Sequence, residues 1–420
     1  MDVKTTVLEN GLRIMTVERP QTETATLGIW VNTGSACENA RNNGVSHFIE
    51  HMVFKGTAKR NAQQISEDIE NVGGQINAYT SREMTVFYVK MLKEDVELGV
   101  DVLAEFVMSP QFPEDEMQKE REVIIQEIRQ TKDDPSDIVF DYFQAAGFAR
   151  QALGMSILGT EKKVKTYTPV HLHQYMQSNY AAQNMVFAAV GNIKHAQVVK
   201  MVAARMANLQ AKAAFKKSKQ QYTGGSCIKR RNIEQTQLVL GFPGIDYYSP
   251  DYYPTAILSS ILGGGMSARL YQEIREKRGL VYSIYSFSDS YTKTGLFGIY
   301  AGLAPEAVNE YLPLVAQELR KIAFEPVSEI ELKRTKAQFK ASILSALEST
   351  FATAEMIARQ TLTYNRILTP AEVVAKINGV SGADIQRVAH QIFSGSLTYT
   401  MLGKNVNCPS YDDVIRQFHI

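Results

Sequence analysis

Cysteine is scarce in this sequence, and its three copies, Cys37, Cys227 and Cys408, are too few and too scattered to form a disulfide framework. They show no C-x-x-C spacing, and such sparse cysteine favours a reducing compartment. Long apolar runs are also missing. No run of about 18 apolar residues occurs, so we expect no membrane span. The first fifteen residues mix charged and polar side chains and lack the apolar core of a signal peptide.

An excess of either charge sign is also missing. Lys and Arg total 45 against 44 for Asp and Glu, which leaves a formal net charge of +1. The chain therefore lacks the global basic field that nucleic-acid binding needs, and we expect no nucleic-acid partner. With 45% hydrophobic and 21% charged residues, the 420-residue chain has a globular composition. Its length indicates two or three domains.

Strand and helix patterns follow one another irregularly in the first half. Alternating apolar residues predict strands, and the i, i+3, i+4 pattern predicts helices. The predicted strands cover 5–18, 25–33, QINAYT and TVFYVKM, and the predicted helices lie near 44–54, 62–72, 93–108 and 114–132. Antiparallel strands combined with long helices indicate an α+β fold.

A repeat divides the chain into two halves. The segment that begins TVFYVKM resembles the segment that begins LFGIYAG, and aligning Glu116 with Glu331 gives an offset of 331 − 116 = 215. Two copies of one α+β unit explain this offset. Residues 213–228 are polar and basic, which is more typical of a solvated linker than of a basic recognition strip. We therefore predict domains at 1–212 and 229–420.

Residues 44–54, GVSHFIEHMVF, join an apolar helical stripe to three chemically active side chains. His47 and His51 are four apart, so both imidazoles lie on one helix face and can reach one metal ion. Glu50 lies beside them, within reach of a water on that metal. This H-x-x-E-H order is the inverted zincin signature. We expect Asn42 or Asn43 to cap the start of the helix.

Two histidines are too few for a catalytic zinc, which normally has three protein ligands and one open position. The other histidines form no matching helical pair, so an acid is the natural third ligand. Glu116, Glu120 and Glu127 lie close to one line along the predicted helix 114–132. The alternative is an ordinary Glu-rich helix whose acids pair with its own Lys and Arg residues.

Several blocks of the sequence resemble the inverzincin, or pitrilysin and insulinase, family of zinc metallopeptidases. They are GVSHFIEHMVFKGT, GGQINAYTSREMTVFY, EREVIIQEI and, in the second half, SSILGGGMSARLYQEIREKRGLVYSIYSF. The resemblance covers essentially the whole chain. It is strongest to the dimeric members that include the β subunit of the mitochondrial processing peptidase and its bacterial relatives. It implies two similar α/β-sandwich domains that form half of a clamshell chamber.

The resemblance also implies a ligand set for one Zn²⁺ per chain. In the family a glutamate follows the second motif histidine by 76 positions, and here 127 − 51 = 76. This spacing selects Glu127 as the third ligand beside His47 and His51. Glu50 would then be the general base. Glu120, seven residues before Glu127, would orient a ligand histidine.

Substrate contacts are implied by the same resemblance. Asn77 and Ala78 belong to a strand that, in the family, offers its edge to an extended peptide. Arg275 and Tyr282, in IREKRGLVY, correspond to the family's arginine and tyrosine pair. A cation and a phenol are suitable donors to a substrate carbonyl and its developing oxyanion.

The implied function is a zinc-dependent endopeptidase that acts on peptides or unfolded segments, with a processing peptidase as one form of it. A homodimer is expected, and a heterodimer with a related subunit is the alternative. A non-catalytic partner subunit or structural core-type protein is the competing interpretation, although the chain keeps all of the motif residues. A zinc-dependent chaperone or peptide-binding module is a third. We expect a bacterial cytoplasm, with the mitochondrial matrix and the periplasm as alternatives.

Overall fold

A computed structural model describes residues 1–212, 218–404 and 408–419, and these form an α+β protein with two sheets. The strands are β1 Lys4–Val7, β2 Arg13–Glu18, β3 Thr24–Val31, β4 Gln75–Thr80, β5 Thr85–Leu92, β6 Met185–Gly191, β7 Gly225–Arg230, β8 Thr236–Pro243, β9 Val281–Ser290, β10 Gly295–Leu303 and β11 Thr398–Gly403. The strands and helices predicted in the first half are confirmed to within a few residues at their ends.

Helices account for most of the remaining described chain. They are α1 Val45–Met52, α2 Ala62–Glu70, α3 Val96–Met108, α4 Glu114–Asp133, α5 Pro135–Gly147, α6 Glu161–Val164, α7 Pro169–Asn179, α8 His195–Met206, α9 Tyr252–Gly263, α10 Val308–Phe324, α11 Glu329–Ala346, α12 Thr350–Tyr364, α13 Pro370–Gly379, α14 Gly382–Phe393 and α15 Tyr411–Phe418. A π-helical turn covers Tyr271–Glu276. Among the described residues, no helix is both long and apolar enough to cross a membrane.

The two sheets share one topology, as the repeat predicts. The first has the order β1-β2-β6-β3-β5-β4, and the second has the order β7-β11-β8-β10-β9. Without β1, the orders match strand for strand. Each sheet is antiparallel except for one parallel pair, β2 with β6 and β7 with β11. The 215-residue offset also holds, because α4 begins at Glu114 and α11 begins at Glu329.

Contacts divide the chain into two compact units that are not continuous in sequence. Unit 1 comprises Met1–Arg129, Ser156–Ser218 and Leu344–Pro370, and unit 2 comprises Gln130–Met155, Lys219–Ile343 and Ala371–Ile420. This division differs from the linear one predicted above. Of the predicted linker, residues 213–217 lie outside the described residues, and the end of the linker forms the start of β7.

The difference arises from one exchanged helix in each unit. Helix α12 comes from the second half of the chain but packs on β6, β3 and β2 of unit 1. Helix α5 comes from the first half and packs on β11, β8 and β7 of unit 2. The two are repeat equivalents, since 135 + 215 = 350 gives the first residue of α12. Each sheet is therefore covered on one face by the other half's helix.

The sheet of unit 1 has an apolar core on each face. Alternating side chains point to opposite faces, so Ile29 joins one core and Trp30 joins the other. The larger core holds residues of α1, α2, α3, α4, α7 and α8. The smaller core contains Ala354, Ile357 and Ala358 of α12. Helices α1 and α4, which carry the predicted metal ligands, thus share the larger core.

Candidate metal centre

Helix α1 is anchored by its apolar side and carries its reactive groups on the other. Val45, Phe48, Ile49 and Met52 are at most 1% exposed. The opposite side is not a solvated face, because His47 is only 8% exposed. Buried imidazoles need polar partners or a metal ion, so this side of the helix is built for interaction rather than for solvent.

The start of α1 is capped by an acid that the sequence did not single out. The prediction that Asn42 or Asn43 caps the helix is wrong, since neither side chain bonds its first amides. Both oxygens of Glu38 accept instead, from the backbone N–H of Gly44 at 2.6 Å and of Ser46 at 2.9 Å. The longer glutamate side chain reaches the helix from the preceding turn, and Asn43 donates to it at 3.1 Å.

The chain before α1 is fixed by close packing as well. Gly44 has φ 91°, and a Cβ there would lie 2.8 Å from the Cα of Gly159. Only glycine combines this left-handed conformation with so close an approach. The hydroxyl of Tyr167 donates to the carbonyl oxygen of Asn43 at 2.8 Å. These contacts fix the start of α1 and, with it, the positions of the two histidines.

Two helices bring three ligand-type atoms to one point. Oε2 of Glu127, on α4, lies 3.6 Å from Nε2 of His47 and 3.4 Å from Nε2 of His51. The ligand atoms of the three residues all lie within 4.8 Å of one another. Two ligands at the usual 2.0–2.1 Å from a tetrahedral zinc would be separated by about 3.4 Å. The two distances from Glu127 Oε2 to the imidazole nitrogens, 3.6 Å and 3.4 Å, therefore fit ligands of one zinc ion.

Unsatisfied polar atoms support the same interpretation. Among the described residues, Glu50 Oε2 and Glu127 Oε2 are buried at this site and have no hydrogen-bond partner. Buried polar atoms are normally paired, so such a cluster requires an explanation. Glu127 Oε2 approaches both imidazoles without the geometry of a hydrogen bond, as expected where a cation completes the contacts.

The acid seven residues before Glu127 also lies at this site. Glu120 Oε2 is 2.9 Å from Nδ1 of His51, on the far side of the ring from Glu127. Its other oxygen, Oε1, is 2.6 Å from Nζ of Lys55. A carboxylate that accepts from one ring nitrogen fixes the other nitrogen as the metal-facing one. Glu116 lies elsewhere and pairs with Lys119 at 2.5 Å.

Burial and neighbouring charges shift the pKa values of the two histidines in opposite directions. Burial, assisted by neighbouring His51, lowers the pKa of His47 to about 4, so its imidazole is neutral at neutral pH. Burial alone would also lower the pKa of His51, but Glu120 and Glu127 outweigh it and raise that pKa to about 9. Metal ligands must be deprotonated, so a cation that binds here displaces the proton of His51.

Glu50 lies on α1 between the two histidines, beside the end of β4. Burial raises the pKa of its carboxyl, and hydrogen bonding to Thr80 opposes that shift. Such a raised pKa suits a group that must first accept and later release a proton near neutral pH. The site therefore combines three potential metal ligands with one unpaired carboxylate oxygen.

The remaining predicted site residues lie in both units. Asn77 and Ala78 lie on β4, the last strand of the sheet of unit 1. Arg275 and Tyr282 belong to unit 2, and Tyr282 is 62% exposed. Arg275 donates to the hydroxyl of Tyr271 at 2.6 Å and lies over its ring at 4.8 Å. The sequence did not single out Tyr271, although the four-residue spacing on a helix was visible.

Comparison with known proteins agrees with this geometry. The model of the insulinase domain, peptidase family M16, matches residues 13–161, and the model named peptidase M16 inactive domain matches residues 166–339. A protein of Rickettsia bellii named an uncharacterized zinc protease is 35% identical over 399 residues, which cover 95% of this chain and 97% of that protein. The chain belongs to peptidase family M16.

A further relative and a solved structure extend the comparison. The β subunit of the mitochondrial processing peptidase from Blastocladiella emersonii is 34% identical over 421 residues, covering 97% of this chain and 90% of that protein. A protease from Helicobacter pylori of known structure superposes with a TM-score of 0.88 at 21% identity, covering 96% and 99% of the two chains. That superposition supports the fold described above.

The cap of α1 generates a prediction about pH. Burial raises the pKa of Glu38 to about 7, from an ordinary value of 4.5. A raised folded-state pKa means that its stabilising contribution is fully present below about pH 4.5 and is lost as the pH rises through 7. We expect the free energy of unfolding of the wild type, relative to Glu38→Gln, to fall between about pH 5 and pH 8.

Chemical denaturation with a chelator present measures this difference without a contribution from bound metal. Glutamine cannot ionise, so groups that titrate identically in both proteins cancel from the pH dependence of the difference. A difference between wild type and variant that stays constant across the pH range would contradict the assignment.

Proposed function

We propose that this M16 protein is a zinc-dependent endopeptidase that hydrolyses peptides or unfolded segments. The observation that carries the proposal is the convergence of two imidazole nitrogens and one carboxylate oxygen at zinc-ligand spacing. His47, His51 and Glu127 would hold one zinc ion per chain. Glu50, beside them on α1, supplies the acid–base group that hydrolysis needs.

Each residue of the candidate site has its own role in the proposed reaction. A zinc ion at this site would supply Lewis acidity, lowering the pKa of the attacking water toward about 7 and polarising the scissile carbonyl. Glu50 accepts a proton from that water and delivers it to the leaving amine. Glu120 holds His51 in the tautomer whose Nε2 faces the metal. Arg275 and Tyr282 would donate to the substrate carbonyl and its developing oxyanion.

An extended substrate strand would bind at the edge formed by β4. Among the described strands, β4 pairs only with β5, so one side of its backbone is open. The N–H of Ala78 donates to the side-chain oxygen of Asn77 at 2.7 Å, a local partner that a peptide carbonyl can replace. Strand addition of this kind recognises backbone, which suits unfolded peptides. The hydroxyl of Thr80, on the same strand, donates to the carbonyl oxygen of Ser46 on α1 at 3.5 Å.

The predicted site residues are divided between the two units, and this division motivates a proposal about assembly. The metal residues belong to unit 1, whereas Arg275 and Tyr282 belong to unit 2. We propose a homodimer that encloses a chamber, in which the metal site of one chain meets Arg275 and Tyr282 of the other. Relatives named as β subunits support a heterodimer as the alternative. The zinc protease relatives are bacterial, which supports a bacterial cytoplasm as the proposed compartment.

Removing the acidic ligand should release the metal. We expect wild-type protein to bind about one zinc per chain and Glu127→Gln to retain well under half of it, because the carboxylate completes the ligand set. Metal analysis after gel filtration measures both. Glu122→Gln, an exposed glutamate on the same helix, is the matched control. Full zinc occupancy in Glu127→Gln would show that the third ligand is another residue.

Removing the base should separate metal binding from turnover. Glu50→Gln should keep its zinc and its fold but hydrolyse an unstructured fluorogenic peptide roughly 10²–10⁴-fold more slowly. Steady-state kinetics and metal analysis on the same preparation test both statements. Near-normal turnover, with contaminating protease excluded, would contradict the mechanism. Wild-type zinc binding without any turnover would favour a peptide-binding module or non-catalytic subunit.

Mixed dimers test the proposed assembly. Glu50→Gln and Tyr282→Phe homodimers should each be impaired at both sites. In a mixed dimer, the intact metal site of the Tyr282→Phe chain meets the intact Arg275 and Tyr282 of the other chain. Each mixed dimer therefore has one complete active site. We expect activity above that of either variant alone after subunit exchange. Confirmed exchange without recovery would place the whole site within one chain.

A further inference from the structure

Lys55 is a charged residue at the metal centre to which the mechanism above gives no role. It ends the 3-10 turn Val53–Lys55 that directly follows α1. Its ammonium nitrogen lies 2.6 Å from Oε1 of Glu120, and the side chains are only 28% and 10% exposed. Glu120 uses its other oxygen to bind His51 at 2.9 Å. Lys55, Glu120 and His51 therefore form a chain of contacts that ends at a metal ligand.

The geometry gives Lys55 two effects on Glu120. A buried carboxylate is costly unless it is paired, and Lys55 supplies a second charged partner besides His51. The contact also fixes the carboxylate plane, because each oxygen is held by a different residue. Without Lys55, Glu120 could rotate toward solvent or bind His51 through either oxygen, and the imidazole would lose its fixed orientation.

We propose that Lys55 is a positioning residue for the metal site: it holds Glu120 so that His51 presents Nε2 to the ion. This inference rests on the proposed function, because it presupposes that His51 is a ligand. Partners of metal-ligating histidines commonly contribute 10–100-fold to metal affinity. Lys55 is one contact further from the ion, so its removal should weaken zinc binding by roughly 10-fold.

The direction of the change in zinc affinity distinguishes a positioning role of Lys55 from electrostatic repulsion between Lys55 and the ion. Lys55→Met removes a positive charge close to a divalent cation. If Lys55 acted on the ion only through its charge, this change would strengthen zinc binding. If Lys55 acts by holding Glu120, zinc binding weakens despite the lost repulsion. The two explanations therefore predict opposite signs.

The chain offers a matched control in the same loop. Lys59 lies four residues further on and pairs with Asp101 at 3.0 Å and Glu105 at 3.3 Å, away from the ligands. Lys59→Met removes the same charge from the same loop without touching Glu120. We expect its zinc dissociation constant to stay within about twofold of wild type, because Lys59 is itself 59% exposed and Asp101 and Glu105 keep Arg60 as a partner.

The experiment is a competition titration of zinc against a chelating dye at fixed pH, with wild type, Lys55→Met, Lys55→Arg and Lys59→Met. Lys55→Met should bind roughly 10-fold more weakly. Lys55→Arg, which keeps a cationic donor, should recover part of that loss. Melting curves in chelator verify folding. If Lys55→Met does not fold, Lys55→Gln removes the same charge but keeps a hydrogen-bond donor, and it should also bind more weakly.

A double-variant cycle tests the route through Glu120. In a Glu120→Gln background, adding Lys55→Met should change zinc affinity less than about twofold, because the intermediary is already disabled. Unchanged or tighter binding by Lys55→Met, or losses that multiply independently in the double variant, would overturn the inference while leaving the ligand set intact. A wild type that binds no zinc would instead overturn the proposed function, and the inference with it.

Discussion

Two imidazole nitrogens and one carboxylate oxygen meet at a largely buried point of unit 1, and the distances from that oxygen to both nitrogens match those between ligands of one zinc ion. Helix α1 supplies the histidines, and helix α4 supplies Glu127. Both helices are fixed by apolar burial in the same core. The Glu38 cap then sets the start of α1, and the contact between Glu120 and His51 sets the ring orientation. The centre thus depends on tertiary packing as much as on its ligands.

The two units share a fold, but only unit 1 carries the candidate metal-binding residues. Helix α11 repeats α4 at the 215-residue offset, but Thr335 and Ser342 stand where α4 carries Glu120 and Glu127. The sheet order is retained in unit 2, whereas the candidate metal-binding residues are not. The family model named the inactive domain matches residues 166–339, and most of these residues, 219–339, belong to unit 2. Function therefore follows from side chains placed on a scaffold, and not from the scaffold itself.

Local signals predicted much of the fold and of the candidate site. The four-residue spacing of His47 and His51 was sufficient to place both on one helix face, and the repeat was sufficient to predict two similar halves. Glu127 required the family spacing, because a line of acids along a helix does not show which one meets the histidines. The contacts of Glu38 and Lys55 form only on folding, so the sequence alone did not predict them. The sequence did not predict the exchange of α5 and α12 either, because neighbours in sequence are normally neighbours in space.

The central claim concerns the identity of the atoms around the metal, and X-ray absorption at the zinc K-edge of the wild-type protein tests it most directly. We predict a first shell of nitrogen and oxygen at about 2.0–2.1 Å, with an imidazole scattering pattern from two histidines and no sulfur at about 2.3 Å. Loading with one equivalent of zinc keeps secondary sites from contributing. A sulfur ligand, or scattering from fewer than two imidazoles, would contradict a centre made of His47, His51 and Glu127.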